Sequence, residues 1–308
     1  MARAYADRNG VAATLTGLVK EMRPWQWYKQ SILLLGLVFS ESLFDPVAVT
    51  NVAVGIVAFC AVAGATYVYN DILDLEEDRE HPRKRYRPIA SGQVPIAVAA
   101  TFGALLFVGG LTLSWYLGPL FLLVVLAYLV QNGLYSAFLK QIVLVDVMVI
   151  ANGFVMRAIA GVVAIDVSLS PWLVVCTFLG ALMLALGKRR HEMVVTDDPA
   201  ASRTILAEYT EETLDQLLVA VLSALIVSYS LYTFFESGLW MMATLPFAFF
   251  ATFRYHHLAH TRDLGGDPKF LFADRPFLAN LVVWGLLVVA ILYDVPPQLL
   301  EVIVSLSP

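Results

Sequence analysis

The sequence predicts an all-α, polytopic membrane protein with nine transmembrane helices and a charged cytoplasmic cap. Two observations lead to this prediction. Hydrophobic residues make up 59% of the 308 positions, and the mean hydropathy is +0.73, both well above the values of an ordinary soluble domain. Apolar runs of roughly 18 or more residues, enough to cross a bilayer as a helix, recur along the chain. The predicted spans are 25–41, 46–73, 94–116, 119–137, 142–164, 169–187, 213–235, 238–257 and 276–294.

The placement of Lys and Arg residues predicts the orientation of these spans. Nineteen of the 20 Lys and Arg residues lie in the connections on one side of the membrane or at adjoining span ends, and the opposite connections contain none. Because these residues accumulate on the cytoplasmic side, we expect a cytoplasmic N-terminus and a location in the cell membrane. Residues 1–308 are expected to form one transmembrane domain. The expected cytoplasmic segments are 1–24, 74–93, 138–141, 188–212 and 258–275.

An acidic motif, "NDILDLEED", follows the apolar part of the second span. Asn70, Asp71, Asp74 and Asp78 form the pattern N-D-x-x-D-x-x-x-D, and the three aspartates would share one face of a continuous helix. Like charges on one face repel each other, so the arrangement favours a bound cation, and Mg²⁺ prefers such oxygen ligands. The three aspartates are therefore predicted catalytic metal ligands, with Asn70 as an additional ligand. The alternative is a solvated acidic helix end.

A basic run, "HPRKRYRP", follows immediately. Arg side chains bind phosphate with two parallel hydrogen bonds and Lys acts as a point charge, so the run suits a polyanionic ligand. We select Arg83 and Arg87 as phosphate-binding candidates. The alternative is a loop that only sets membrane orientation and touches anionic lipid headgroups.

Together the motifs resemble the UbiA superfamily of intramembrane prenyltransferases. The acidic pattern looks like the first aspartate-rich motif of that superfamily. The strings "RPWQWYKQSILLLGLVFS", "VLVDVMVIANGFVMRAIAG" and "LALGKRRHEM" resemble its decaprenyl-phosphate phosphoribosyltransferase branch, which moves phosphoribose instead of a prenyl group. The resemblance covers most of the chain and implies a UbiA-like nine-helix bundle that uses Mg²⁺.

The loop after the sixth span departs from the pattern of typical prenyltransferases. Those enzymes carry a second motif, D-x-x-x-D, whereas this chain reads "GKRRHEMVVTDD". Lys188, Arg189 and Arg190 therefore stand where carboxylates are expected, and we predict that they bind phosphate. The alternative is a second orienting loop. The nearby acids that could serve as metal ligands are Glu192, Asp197 and Asp198.

Five further polar residues near or inside the spans are predicted to contact substrate. Arg157 lies deep in the fifth span, where a charge is costly without a partner; it either binds a phosphate or neutralises an acid on another helix. Asp146 is expected on nearly the same face of that helix. Lys29 either reaches the lipid headgroups or a substrate cavity. Tyr135 and Lys140 occupy places where the superfamily has a tyrosine and a basic residue in its site.

The expected reaction is Mg²⁺-dependent transfer of 5-phosphoribose from 5-phosphoribosyl 1-diphosphate to a polyprenyl (decaprenyl-like) phosphate at the cytoplasmic face, with release of pyrophosphate. The expected partners are these two substrates and membrane lipids, with no nucleic acid; homo-oligomer formation is left open. One alternative is a UbiA-type prenyltransferase that moves a prenyl group from prenyl diphosphate to an aromatic or lipid acceptor. A second is a transporter of lipid phosphates.

Overall fold

A computed structural model describes residues 10–195, 204–236, 238–261 and 268–294. Throughout these residues the regular structure is helical, without a strand, so the predicted all-α class is confirmed. The α-helices are α1 (Val11–Glu21), α2 (Leu34–Phe39), α3 (Pro46–Leu73), α4 (Leu75–Glu80), α5 (Ile96–Tyr116), α6 (Pro119–Ala137), α7 (Val145–Val163), α8 (Pro171–Val195), α9 (Glu211–Phe235), α10 (Gly238–Met241), α11 (Leu245–Thr261), α12 (Pro268–Ala273) and α13 (Arg275–Leu292).

Seven helices of the described residues are long and apolar enough to cross a membrane: α3, α5, α6, α7, α8, α9 and α13. Each matches a predicted span, and the chain is a multi-pass membrane protein. The number nine is not confirmed, because the predicted spans 25–41 and 238–257 are built from shorter segments. The first is a 3₁₀ helix, Pro24–Leu33, followed by α2, and polar Gln26, Lys29 and Gln30 interrupt its apolar character. The second consists of α10, a short 3₁₀ helix (Met242–Thr244) and α11. Pro246 has no N–H group to donate within a helix, so it is tolerated only in the first turn, and α11 begins at Leu245.

The chain divides into two compact units. The first comprises Met1–Leu37, Ser42–Leu129 and Ala160–Val167. Within it α3 packs along α5, and α1 packs against the loop that joins them. A small apolar core holds this loop in place; its buried members are Leu18, Val68, Leu75, Ile89, Ala90, Val94 and Ala99.

Two glycines allow a close backbone approach within this unit. A Cβ atom on Gly161 of α7 would lie 2.1 Å from the Leu33 carbonyl oxygen, and one on Gly36 would lie 2.7 Å from the Gly161 carbonyl carbon. Backbone atoms cannot move aside as a flexible side chain can. The end of the 3₁₀ helix and the end of α7 therefore pack at a distance that only glycine permits.

The second unit comprises Val38–Glu41, Val130–Ile159 and Ser168–Pro308. Within it α8 packs along α9, and its core extends to α11 and α13 through Leu186, Leu218, Tyr255 and Phe277. Polar side chains inside the unit bind one another as well. The Tyr229 hydroxyl accepts a hydrogen bond from Trp284 Nε1 at 3.0 Å.

Replacement of Gly161 by Ala should destabilise the protein by about 1–3 kcal/mol, the usual effect of overpacking, because the new methyl group would overlap Leu33. Thermal unfolding in detergent measures the effect as a lowered midpoint. Gly109→Ala in α5 is the matched control, since a Cβ there meets nothing within 4 Å. Equal midpoints for the two variants would contradict the close approach.

Candidate active site

Two of the three predicted aspartates lie buried together at the end of α3. Asp71 is 2% exposed and Asp78, in α4, is 0% exposed. Asp74 is exposed at the junction, because α3 ends at Leu73 and the chain bends before α4 begins. The sequence predicted three carboxylates on one face of a single helix; the helix is instead interrupted at Asp74, whose side chain is exposed while the other two are buried. The Asn70 carbonyl oxygen accepts a hydrogen bond from the Asp74 N–H group.

One arginine of the basic run bridges the two buried carboxylates. Arg87 Nη1 donates to Asp71 Oδ1 at 2.9 Å and to Asp78 Oδ2 at 2.6 Å. The other oxygen of Asp78, Oδ1, has no hydrogen-bond partner among the described residues, although Lys84 Nζ lies 3.6 Å from it. The adjacent predicted residue, Arg83, is exposed. The acidic motif and the basic run therefore form one cluster.

Arg23, which the sequence analysis did not select, contacts the same carboxylate. Its Nη2 atom donates to both oxygens of Asp71, at 2.7 and 3.1 Å, and its guanidinium lies 4.5 Å from the centre of the Tyr67 ring. Arg23 has a φ angle of 52°, a left-handed conformation that is costly for a residue with a side chain. Arg23 thus combines a strained backbone, between α1 and Pro24, with a side chain that binds Asp71.

Glu21, at the end of α1, is a buried acid beside this cluster. Its Oε1 atom accepts a hydrogen bond from the Ile89 N–H group at 2.9 Å. Burial, followed by the hydrogen bond and the charge of Asp71, raises the pKa of Glu21 from its ordinary value of 4.5 to about 8, although the Ile89 N–H and the charge of Arg23 act in the opposite direction. Glu21 therefore binds a proton at neutral pH in the protein without a bound metal.

Lys29 extends the polar network from the 3₁₀ helix. Its Nζ atom donates to Gln26 Oε1 at 2.9 Å, and the Tyr67 hydroxyl donates to the same oxygen at 3.0 Å. Since Tyr67 also stacks under Arg23, the predicted residue Lys29 and the buried acids belong to one continuous set of polar contacts in the first unit.

A second polar cluster lies in the second unit, around Asp146. Arg189 Nε donates to Asp146 Oδ2 at 2.7 Å, and Arg189 Nη1 donates to Glu192 at 2.7 Å. The Tyr209 hydroxyl donates a hydrogen bond to Asp146 Oδ1 at 3.0 Å and accepts one from the Leu144 N–H group at 2.8 Å. Burial is the main reason that the pKa of Tyr209 is raised to about 12. Sequence reasoning did not find Tyr209, because no motif connects it with Asp146.

Arg190 is also buried among acceptors. Its guanidinium donates to Asp215, to Glu211 at 2.8 Å and to the Ala259 carbonyl oxygen at 3.1 Å. Lys188 is about half exposed, with its Nζ atom 3.9 Å from Glu192. The three basic residues predicted to bind phosphate thus differ: two are enclosed by acids of the protein, and Lys188 is the accessible one.

The other predicted residues have the following positions. Tyr135 is half-buried and Lys140 is exposed. Arg157 is buried, donates to the Gly153 carbonyl oxygen of its own helix at 2.7 Å and lies over the Phe154 ring. Their contact with substrate stays a prediction. The candidate acids Asp197 and Asp198 lie outside the described residues.

These features define a multi-pass, all-helical membrane protein with buried carboxylates and basic residues clustered at the end of a spanning helix. The family model described as "UbiA prenyltransferase family" matches residues 31–282. The chain therefore belongs to the UbiA prenyltransferase family, as its motifs indicated.

Three similar proteins extend this finding. A protein named decaprenyl-phosphate phosphoribosyltransferase from Mycolicibacterium smegmatis is 37% identical over 225 residues, 71% of this chain and 71% of that protein. A protein of the same name from Mycobacterium tuberculosis H37Rv is 36% identical over 283 residues, 89% of this chain and 93% of that protein. The solved structure of a UbiA homolog from Archaeoglobus fulgidus bound to GPP and Mg²⁺ has a TM-score of 0.69 at 15% identity, covering 90% of this chain and 99% of that one.

We expect the stability of the metal-free protein to decrease between about pH 4.5 and pH 8. In this interval folded Glu21 keeps a proton that it loses on unfolding, so the free energy of unfolding falls as the pH rises. Glu21→Gln removes this contribution. Thermal unfolding in EDTA should therefore show a steeper fall from pH 5 to pH 8 in the wild type than in the variant; equal slopes would rule out a raised pKa for Glu21.

Arg189→Gln should reduce the free energy of unfolding by about 3–5 kcal/mol, since it leaves Asp146 buried without its charged partner. Arg79→Gln provides the control, because the Arg79–Glu76 pair is exposed and such pairs contribute at most about 1 kcal/mol. Denaturation in mixed detergent micelles measures both values. The assignment is wrong if Arg189→Gln changes the free energy as little as Arg79→Gln.

Proposed function

We propose that the protein transfers 5-phosphoribose from 5-phosphoribosyl 1-diphosphate to decaprenyl phosphate or a similar polyprenyl phosphate. The observation that supports this most is the identity of 36–37% with relatives named decaprenyl-phosphate phosphoribosyltransferase. The basic residues near the end of α8, at the place where typical prenyltransferases carry aspartates, agree with it. By the bias of its Lys and Arg residues, the reaction takes place at the cytoplasmic face of the cell membrane.

The reaction requires one bond to form and one to break at the anomeric carbon of the donor. An oxygen of the lipid phosphate attacks this carbon, and the bond to the diphosphate breaks, so that pyrophosphate leaves with the bonding electrons. The lipid phosphate is already anionic near neutral pH, so the site needs to position it more than to deprotonate it. Resemblance to the family branch implies inversion at this carbon, from an α donor to a β product.

The buried carboxylates fit a divalent cation by their chemistry. Among the described residues no group of three His, Cys, Asp or Glu side chains is placed to hold a metal. Asp71 and Asp78 nevertheless converge on one cationic nitrogen, and Asp78 Oδ1 is buried without a hydrogen bond. We propose that these two would hold Mg²⁺, and that Asp74 and Asn70 of the same motif are candidates for additional ligands. The bound ion would supply positive charge to the leaving diphosphate.

The protein's own cations then have separate tasks. Arg23 orients Asp71, since it binds both of its oxygens. Arg83 is exposed in the basic run of the first unit, and Lys188 is half exposed in α8 of the second unit. Each is therefore accessible to a phosphate group. Arg189 and Arg190 are enclosed by acids of the protein, and we assign them the positioning of α7 and α9.

A second candidate function is transfer of a prenyl group. The fold of the A. fulgidus homolog, solved with GPP and Mg²⁺, favours it. Of the three acids considered for a second metal, however, the described one is Glu192, which lies in α8 and is already paired with Arg189.

Purified protein with Mg²⁺, labelled 5-phosphoribosyl 1-diphosphate and decaprenyl phosphate should transfer the label to lipid and release an equal amount of pyrophosphate. Asp78→Asn should reduce this rate at least about a hundredfold, the scale on which loss of one preorganised electrostatic group acts. Glu76→Gln, at an exposed position of the same helix, is the control and should leave the transfer rate nearly unchanged.

Three other outcomes of this assay would contradict the proposal. Pyrophosphate released from prenyl diphosphate, with no label entering lipid, identifies a prenyltransferase. Movement of decaprenyl phosphate across liposomes without either reaction identifies a transporter. A wild-type rate in Asp78→Asn, at unchanged thermal stability, removes the metal assignment.

Arg87→Gln should tighten Mn²⁺ binding in the absence of donor by several-fold, and a tenfold change corresponds to about 1.4 kcal/mol. The reason is that Arg87 Nη1 binds the two carboxylate oxygens that we assign to the metal, so guanidinium and metal compete. The same change should raise the KM for the donor. Free Mn²⁺ measured by electron paramagnetic resonance (EPR) gives the affinity.

Arg83→Gln serves as the control, because Arg83 is exposed and its loss should not alter Mn²⁺ affinity. Weaker Mn²⁺ binding in Arg87→Gln would show that this arginine supports the metal site instead of competing for it. Absence of Mn²⁺ binding in the wild type would disprove the metal site itself.

A further inference from the structure

Helix α1 presents three different faces. One face is buried and contains Gly17, Leu18 and Glu21. A second face is apolar and exposed: Val11, Leu15 and Val19, four residues apart, are 78%, 57% and 52% exposed. Because residues four apart share a side of a helix, these three form one continuous stripe, which we call the apolar stripe.

The third face of α1 is polar or small and is also exposed. Ala12, Thr16 and Lys20 lie one position after the members of the apolar stripe, so they form a parallel stripe rotated by about 100°; we call it the polar stripe. A helix at the surface of a water-soluble protein needs two faces, one toward the core and one toward water. The third, apolar face needs an additional partner.

The buried face holds α1 at the level where two spanning helices end. Near its first residues, the Ala13 carbonyl oxygen accepts a hydrogen bond from Gln93 at 2.8 Å, just before α5 begins at Ile96. At its last residue, Glu21 shares a hydrogen bond with Asp71, two residues before the end of α3. The two contacts lie at the adjoining ends of successive membrane spans.

Both ends of α1 are thus at the same side of the membrane, so the helix runs along the surface and not through it. Its 11 residues measure about 16 Å, too short to cross a hydrocarbon core of about 30 Å. The chain continues directly into exposed aromatic residues, Trp25, Trp27 and Tyr28. Trp and Tyr are enriched where a membrane meets water, so α1 ends at that boundary.

We propose that α1 is an interfacial helix that docks on the lipid bilayer, with the apolar stripe inserted among the acyl chains and the polar stripe toward water. The partner is the bilayer interface, which is continuous with the lipid-facing surface of the spans. Since Gly17 packs on Val94 and Glu21 binds the Ile89 amide, bilayer docking also fixes the loop that carries Arg87. The inference does not depend on the proposed reaction.

Spin labels test this arrangement directly. Single cysteines replace Val11, Leu15, Val19, Ala12 or Thr16 in the full-length protein, after Cys60 and Cys176 have been changed to Ala, and the labelled proteins are placed in nanodiscs of zwitterionic and anionic phospholipid. Each position is exposed, so the label is accommodated; unchanged thermal unfolding verifies the fold. Collision with oxygen, which concentrates in lipid, and with a water-soluble nickel chelate then reports the surroundings of each label.

Labels in the apolar stripe should collide with oxygen and be protected from the nickel chelate, at about 5–10 Å below the headgroups. Labels at Ala12 and Thr16 should show the reverse. Equal access of the nickel chelate to both stripes would overturn the proposal. Dipolar broadening between labels at Leu15 would overturn it as well, because it would show that a second copy of the chain covers the stripe.

Discussion

Two carboxylates buried at the end of a membrane-spanning helix are the constraint on which the first unit depends. A buried carboxylate is stable only if hydrogen bonds and positive charge replace the water that it has lost. Arg23 and Arg87 meet this requirement for Asp71, and Arg87 meets it for one oxygen of Asp78. The basic run after α4 is therefore part of the site, and the strained backbone of Arg23 has a physical reason.

The same requirement explains the packing of α1. Glu21 places a third acid next to Asp71, and its burial raises its pKa to about 8, which favours the uncharged form there. Its bond to the Ile89 amide then holds the loop that leads back from Arg87. One end of α1 thus joins the acidic motif to the basic loop, and the precision of the site depends on a helix that supplies no proposed metal ligand.

Much of this protein could be predicted from the sequence, because membrane helices leave a strong local signal. Seven long helices follow the predicted spans, and the sequence shows a basic run directly after the acidic motif. It did not show that Arg87 binds Asp71 and Asp78, because Arg87 was expected to bind phosphate. The break at Asp74 was not visible either, since a spacing of i, i+3, i+7 assumes one unbroken helix. The roles of Arg23 and Tyr209 depend on contacts 48 and 63 residues apart in sequence, which no local pattern contains. Burial likewise separates Arg189 and Arg190 from Lys188, although all three stand together in sequence.

If Asp71 and Asp78 hold the metal that neutralises the diphosphate of a phosphoribosyl donor, phosphate oxygens of the donor bind that metal. Pulsed EPR of Mn²⁺ bound to the protein tests this most directly, because phosphorus nuclei couple to the ion only when phosphate oxygens bind it. We expect ³¹P couplings when 5-phosphoribosyl 1-diphosphate is added to the wild type, and their loss in Asp71→Asn and in Asp78→Asn. Bound Mn²⁺ without ³¹P coupling in the wild type, or unchanged coupling in both variants, would contradict this assignment.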